Sequence, residues 1–255
     1  MAGYESFAAL YDALTDNVDY NAMGEYLCNL LAAHGAGEGI LLDLACGTGT
    51  LSAFFAAKGY DVIGVDASEE MLAEAQEKRI EEGFEALFLC QNMEELDLFG
   101  TIDAAVCTMD SLNHLTDPAA FCEALRRVAL FMNDGGVFVF DVNTPYKHAE
   151  VLGNNTFVYD LEEVYCVWQN SFDEAEQTTQ ICLDLFTVDE EEPDVYVRET
   201  EEFSERAYDL EFIADALKKV RFEVLSVQDA DTHGTLTETS ERALFLCKKH
   251  GTQFQ

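Results

Sequence analysis

The sequence predicts an α/β protein built on a mostly parallel sheet, with an antiparallel insertion late in the chain. Three features carry that prediction. Residues 40–66, ILLDLACGTGTLSAFFAAKGYDVIGVD, read as strand, glycine turn, helix and second strand. Short apolar runs alternating with helical segments continue to residue 142, as in stacked βαβ units. Residues 156–206 then change to runs rich in Tyr, Val, Phe, Thr and Cys divided by acidic turns, which reads as a meander of three or four antiparallel strands.

In the first unit, Ile40 to Ala45 has the length of a buried parallel strand. Gly47-Thr48-Gly49-Thr50 allows a tight turn, Leu51 to Lys58 has helical spacing, and Gly59 stops that helix. Asp61 to Asp66 is a second apolar run ending in a carboxylate, placed where a ribose hydroxyl pair would be held. The glycines let backbone approach a ligand. Asp43, just below the turn, would repel a pyrophosphate and suits a cationic ligand. Ser52 stands where a dinucleotide site has its third glycine. A bare βαβ unit holding no cofactor is the plainer reading.

The stretch D-L-A-C-G-T-G-T followed by V-I-G-V-D-A-S-E-E-M-L resembles the class I S-adenosylmethionine (SAM)-dependent methyltransferases. The resemblance implies a Rossmann-like sheet of order 3-2-1-4-5-7-6 with the last strand antiparallel, SAM as cofactor, and methyl transfer as activity. It also implies that Ala45 replaces the family's first glycine, and that Asp43, Ala45, Gly47, Gly49, Asp66 and Met109 line the cofactor site. The late meander resembles the cap inserted in bacterial methyltransferases of the glycine and sugar-amine N-methylating kind. The expected division is a helical lid over 1–35, a SAM-binding core over 36–150 and 207–255, and a β cap over 151–206.

Taken in order, Tyr4 to Leu14 and Asn21 to His34 read as helices, and Phe7, Leu10, Tyr11 and Leu14 share one face. Either the pair packs on the sheet edge or, as the resemblance implies, it closes over the cofactor and supplies Tyr11 and Tyr20. Ser68 is a good N-cap, with Glu69 and Glu70 in the first turn; Met71 touches adenine or is core. After a strand at 86–90, the resemblance implies that Asn92 meets the adenine amino group while Met93 packs on the ring. A fourth strand at 102–108 leads into Met109 to Leu115, at the carboxyl edge where ligands of open sheets bind. There Asp110, Asn113 and His114 either position a substrate or accept its proton, or merely cap and bridge loops. Asp117-Pro118 opens a helix through Met132, the 133–136 turn enters a fifth strand at 137–142, and residues 143–147 leave at the same edge. A helix at 208–219 and strands at 222–227 and 242–247 complete the core. In the cap, Tyr165, Trp168, Asn170, Arg198 and Arg206 are the substrate candidates. Trp168 packs on a substrate or cation, or belongs to the cap core. Each arginine holds an anionic group or is a solvated ion-pair partner.

The chain's 255 residues and 49% hydrophobic content suit one core with an insertion. No apolar run approaches the ~20 residues of a membrane span, and the acidic N-terminus does not read as a signal peptide. Eight scattered cysteines without a C-x-x-C pair point to reduced thiols in the cytoplasm and no metal site. The net charge of −36, from 14 basic and 50 acidic residues, disfavours a nucleic-acid partner. The expected function is SAM-dependent methyl transfer to the N or O nucleophile of a small molecule. The alternatives are a protein or RNA acceptor and a non-catalytic SAM-binding module.

Overall fold

In chain order the elements are α1 (Glu5–Leu14), α2 (Tyr20–Ala33), β1 (Ile40–Leu44), α3 (Thr50–Ala57), β2 (Asp61–Asp66), α4 (Glu69–Glu82), β3 (Ala86–Cys90), β4 (Ile102–Cys107), α5 (Pro118–Phe131) and β5 (Met132–Asn143). Then come β6 (Thr156–Asp160), β7 (Tyr165–Asp173), β8 (Thr178–Val188), β9 (Tyr196–Arg206), α6 (Leu210–Lys219), β10 (Phe222–Asp229) and β11 (Arg242–Lys249). The computed structural model describes residues 5–162, 164–189 and 195–251, without the side chains of residues 5 and 6. Tyr4 and most of the acidic turn 189–194 lie outside the described residues.

The main sheet has the order β10-β11-β5-β4-β1-β2-β3. Strands β1 to β5 are parallel, while β11 runs antiparallel to both β5 and β10. This is the expected 3-2-1-4-5-7-6 order, with β10 and β11 as the core's sixth and seventh strands. Residues of opposite parity fill the two faces, as a period of two requires. Leu42, Leu44, Ala105, Cys107, Phe138, Phe140 and Phe245 pack under α5 and α6, and the Phe140 and Phe245 rings stack at 4.9 Å. Leu41, Val106, Val139 and Leu244 face α2 and α3, against Leu27, Leu31 and Phe55.

Helix starts follow their caps. Ser68 accepts the Met71 N–H at 3.1 Å, and Asp117 accepts the Ala119 N–H at 2.9 Å ahead of Pro118. Among the described residues no helix is long and apolar enough to cross a membrane. The 133–136 turn falls inside β5: Met132 pairs with Ile102 and Val137 with Ala104, so four residues loop out between the two pairings. A π-helical turn over Lys147–Leu152 had no signal in the sequence.

The insertion is a separate four-stranded antiparallel sheet, β6-β7-β8-β9. Its inner face buries Cys166, Ile181, Leu183 and Leu185, and the apolar face of α1 closes that cluster with Phe7, Leu10 and Leu14. Of the two N-terminal helices, α1 therefore packs on the cap and α2 on the main sheet.

Candidate active site

The parallel strands deliver their C-terminal ends to one edge, and two of them leave the sheet through left-handed backbone. Ala45 follows β1 at φ 59°, and Met109 and Asp110 follow β4 at φ 59° and 52°. Such residues cost about 1–3 kcal/mol each, so something must hold them. Asp141, inside β5, does so after β4: its two oxygens accept the Met109 N–H at 3.1 Å and the Asp110 N–H at 2.7 Å.

On the β1–β2 side, Asp66 accepts the Gly47 N–H and the Ser68 N–H, each at 2.9 Å. A carboxylate has about four acceptor positions, so both oxygens keep capacity for a ligand. The two turn glycines differ in kind. A side chain on Gly47 would meet nothing within 4 Å, whereas one on Gly49 would meet Ala75 at 3.0 Å and Phe88 at 3.2 Å. Gly47 thus borders open space, and Gly49 lets α3 approach α4 and β3. Asp43 is buried and accepts the Ser52 hydroxyl at 2.6 Å. Burial, opposed by Ser52, raises its pKa to about 6. The residue in the third-glycine position therefore secures the carboxylate below the turn.

Helix α1 crosses this edge. Asp12 accepts the Thr48 hydroxyl at 2.6 Å and pairs with Lys78 of α4 at 2.7 Å, while Lys78 also donates to Thr50 at 2.6 Å. Tyr11 sits beside Tyr20, Asp110 and Asp66, and burial pushes its hydroxyl pKa well up. Met71 is partly buried at the start of α4. Asn92 is exposed and donates to Glu95 at 3.1 Å, and Met93 packs against the core.

On the β4–β5 side, Asp110 receives Arg242 at 2.7 Å, and Arg242 also lies 3.7 Å from Asp141. Burial opposes ionisation of Asp110, yet Arg242, Lys147 and His114 hold its pKa below the usual value. Burial works against Arg242 too, and the two aspartates more than offset it. Met109 brings its sulfur to 4.0 Å from Arg242 Nη1. Asn113 is buried, accepting the Asn143 N–H at 3.0 Å and donating to the Arg206 carbonyl at 2.8 Å. It thereby ties core to cap. His114 keeps 42% of its side chain accessible, yet enough protein surrounds it to lower its pKa, so the ring lines a concavity.

The cap reaches this edge through Glu205, near the end of β9. The side chain is buried, and Oε2 accepts from Asn143 Nδ2 at 3.1 Å. His114 and His148 bring their Nε2 atoms to 3.9 and 3.8 Å from the carboxylate. Burial and the neighbouring Asp110 raise the Glu205 pKa to about 8. Burial lowers His148 to about 4, with its Nδ1 2.8 Å from the Thr179 hydroxyl.

Strand register sorts the remaining cap candidates. Trp168 pairs with Leu183, which pairs with Glu201, so Trp168, Phe203 and Glu205 share the inner face. The indole donates to Asn170 at 2.7 Å and packs in the cluster under α1. Tyr165 and Arg198 have the opposite parity and lie on the outer face, where Arg198 pairs with Asp184 at 2.7 Å. Arg206 donates to the Thr116 carbonyl at 3.1 Å. The structure thus brings Asp110, His114, Tyr11 and Asp66 to one edge and leaves Tyr165 and Arg198 away from it. Glu205, Asp141, Arg242, His148 and the Asp12 latch were not anticipated. An acid within FVFDV and an arginine opening the last strand were the only signals in the sequence.

A family model described as "Methyltransferase domain" matches residues 41–136. The putative methyltransferase YqeM of Bacillus subtilis (strain 168) is 33% identical over 250 residues, covering 98% of both chains. A solved S-adenosylmethionine-dependent methyltransferase from Clostridium acetobutylicum ATCC 824 shares 33% identity and superposes with a TM-score of 0.88, over 97% of this chain and 99% of that one. Glycine N-methyltransferase of Oryctolagus cuniculus is 32% identical over 138 residues, 48% of this chain and 46% of the relative. An α/β sheet of this order, ending its second strand in a carboxylate beside a glycine turn, defines a nucleotide-binding transferase. The chain belongs to the class I SAM-dependent methyltransferases, enzymes that transfer a methyl group from SAM. The residues present fit that cofactor: the backbone at Gly47 borders open space, and Asp43, Asp66, Asp110 and Asp141 come to one edge, the last two paired with Arg242, a field suited to a cationic sulfonium.

Proposed function

We propose that this methyltransferase modifies a small-molecule acceptor through an N or O nucleophile. The observation that carries the reading is enclosure. Helix α1 is latched across the glycine turn by Asp12, Thr48 and Lys78, and β9 of the cap closes the opposite side through Glu205 and Asn113. A macromolecular acceptor would need that roof displaced. The acidic surface, at net −36, also opposes nucleic acid. The name of the partial relative glycine N-methyltransferase supports a small acceptor.

In this reading Asp66 holds the ribose hydroxyls, and Asp43, Ala45, Gly47, Gly49 and Met109 line the cofactor. Met71, Asn92 and Met93 border the adenine, and Tyr11 and Tyr20 cover the site from the lid over 1–35. Asp110 and His114 face the acceptor, and Trp168 stiffens the cap over 151–206 against α1. When bound, SAM supplies an electrophilic methyl carbon with a good leaving group, so the protein's task is alignment of the nucleophile. The unpaired, scattered cysteines fit a reducing compartment such as the cytoplasm.

Calorimetry with S-adenosylhomocysteine and with NAD tests the cofactor half; NAD binding as tight as S-adenosylhomocysteine would sink it. Methyl-labelled SAM incubated with fractionated cell extract tests the acceptor half. Label is expected in the small-molecule fraction, and label in tRNA or protein instead would overturn the acceptor class.

A further inference from the structure

Glu205 is a buried carboxyl, 3% exposed, and among the described residues no lysine or arginine lies within 4 Å of its oxygens. The bases at that range are His114 Nε2 at 3.9 Å and His148 Nε2 at 3.8 Å. Neither brings charge. The Asn143 N–H and the Arg206 carbonyl fix the orientation of the Asn113 amide. Its Nδ2, 3.4 Å from His148 Nε2, makes that nitrogen an acceptor and leaves the ring proton on Nδ1, towards Thr179. Burial biases His114 to its neutral form as well. On its other side Glu205 meets Asp110 within hydrogen-bond reach. Two carboxylates make no hydrogen bond without a proton between them. Asp110 is the ionised member, because Arg242 Nη2 donates to its Oδ1 at 2.7 Å and Lys147 adds positive charge nearby. The proton therefore sits on Glu205.

We propose that protonated Glu205 is a positioning residue: it donates to the Asp110 carboxylate, orients that carboxylate towards the acceptor, and clasps cap to core only while it keeps its proton. The part played by Asp110 rests on the proposed function, whereas the shared proton rests on the contacts alone. Arg242 holds Asp110 from one side and Glu205 from the other, which leaves the carboxylate little freedom to rotate. The clasp joins β9 to the loop after β4, whose left-handed residues Met109 and Asp110 Asp141 already holds through their N–H groups. When the Glu205 O–H bond breaks, the proton goes to solvent and two adjoining carboxylates repel. The charged and titratable groups around Glu205 are Asp110 after β4, His114 in the following turn, and Lys147 and His148 after β5. Arg206 adjoins it on β9 but donates to the Thr116 carbonyl. Arg242 of β11, Asp141 of β5 and Tyr11 of α1 act through Asp110. Burial first, then Asp110, raises the Glu205 pKa to about 8. The clasp is therefore made at neutral pH and lost as pH rises through that value.

Infrared spectra of the whole protein, wild type minus Glu205→Gln, read the proton. A protonated-carboxyl band is expected at pH 7 and should be gone at pH 9.5. Hydrogen exchange reads the clasp. In wild type, protection of the amides at 109–113 and 203–207, corrected for intrinsic rates, should fall at least about fivefold between those pH values. Glu205→Gln, whose side-chain amide both donates and accepts, should keep its protection at both, and Glu205→Ala should lack it at both. Methyl-labelled SAM in cell extract reads the positioning. The ratio of label transferred by Glu205→Gln to that by wild type should rise at least about threefold over the same range, and the acceptor's own ionisation cancels in that ratio. No band at pH 7, wild-type protection independent of pH, or the same pH dependence in Glu205→Gln would each overturn the proposal. A flat ratio beside an intact clasp would overturn the positioning role. If the variant does not fold, wild type labelled with carbon-13 glutamate should show a glutamic acid band that disappears near pH 8, and its absence overturns the proposal. A protein with band and clasp that transfers no label would break the methyltransferase reading instead.

Discussion

The two halves of the site are built differently. The half proposed to hold the cofactor takes most of its residues, Asp43 to Met93, from about fifty consecutive positions, and the Asp66 carboxylate is satisfied by backbone N–H groups. The half proposed to face the acceptor draws Asp110, Asn113, Asp141, Asn143, His148, Glu205 and Arg242 from widely separated segments; Asp141 and Asn113 bond to backbone, and side-chain pairs join the others. Of three buried side-chain atoms without partners among the described residues, two are here, Asn143 Oδ1 and Arg242 Nε. Both left-handed residues after β4 are here as well. Buried groups left unsatisfied call for an explanation, and a ligand that completes them is the simplest one. The cofactor half is a preformed mould. The half proposed for the acceptor is a charge balance struck between distant segments.

Breaking that balance should give the largest effect. Arg242→Met leaves Asp110 and Asp141 buried without their cation, and losing one partner of a buried ion network costs about 3–5 kcal/mol. Without the arginine both carboxyls should have folded pKa values above their unfolded ones. Their penalty then grows as pH rises through the carboxylate range and fades as both protonate. Urea unfolding at pH 7.5 should show the full loss, and the gap to wild type should narrow toward pH 4. A gap independent of pH would mean that the loss comes from packing.

The corresponding change in the cofactor half should act on affinity. Asp66→Ala removes charge-assisted hydrogen bonds to the ribose worth about 1–3 kcal/mol, or roughly 5- to 150-fold in S-adenosylhomocysteine affinity by calorimetry. Because Asp66 is only partly buried, unfolding free energy should change less than binding does. A variant that binds normally would remove Asp66 from the cofactor site.

The same contrast explains what the sequence made legible. A glycine turn, an N-cap and a strand-ending acid are local devices, so residues 40–71 announce both the fold and the cofactor, and the strand order follows from the family they indicate. Glu205 has no local signature: in SERAYDL it reads as one more acid of an acidic meander, and only strand register reveals that it faces inward with Trp168 while Arg198 faces out. Arg242 carried no sign in the sequence beyond opening the last strand, and two aspartates from other segments enclose it. Long-range charge pairing is invisible to periodicity. The π turn that buries His148 is likewise set by its partners, Thr179 and Glu205.

A smaller effect separates the charge of Glu205 from its shape. Burial and Asp110 raise its folded pKa to about 8, above the usual glutamate value near 4.3. For a carboxyl shifted upward, the stabilising contribution is complete below the unfolded pKa and is lost as pH rises through the folded one. Wild type should therefore lose stability between about pH 5 and pH 8. Glu205→Gln, permanently neutral, should be the more stable protein at pH 8, with the difference vanishing near pH 4. Thermal melts across that range decide it, and equal stabilities at pH 8 would mean that the carboxylate is well compensated in the folded state.

The smallest expected effect concerns α1, which joins the two halves. Asp12 links α1 to the glycine turn through Thr48 and to α4 through Lys78. The aspartate side chain is half exposed, at 50%, so its ion pair contributes less than about 1 kcal/mol. Asp12→Asn should thus barely change global unfolding. It should shift the balance between a latched and an unlatched α1, and so the rate at which cofactor escapes. Trp168, the sole tryptophan, packs in the cluster that includes Phe7, Leu10 and Leu14 of α1, so its fluorescence reports the position of that helix. Stopped-flow displacement of S-adenosylhomocysteine should show release about two- to fivefold faster in the variant, with the fluorescence change keeping pace. The association rate should change less, because most affinity changes appear in dissociation. Release at the wild-type rate, with Trp168 unresponsive to cofactor, would make α1 a fixed strut between cap and core and leave the cofactor another way out.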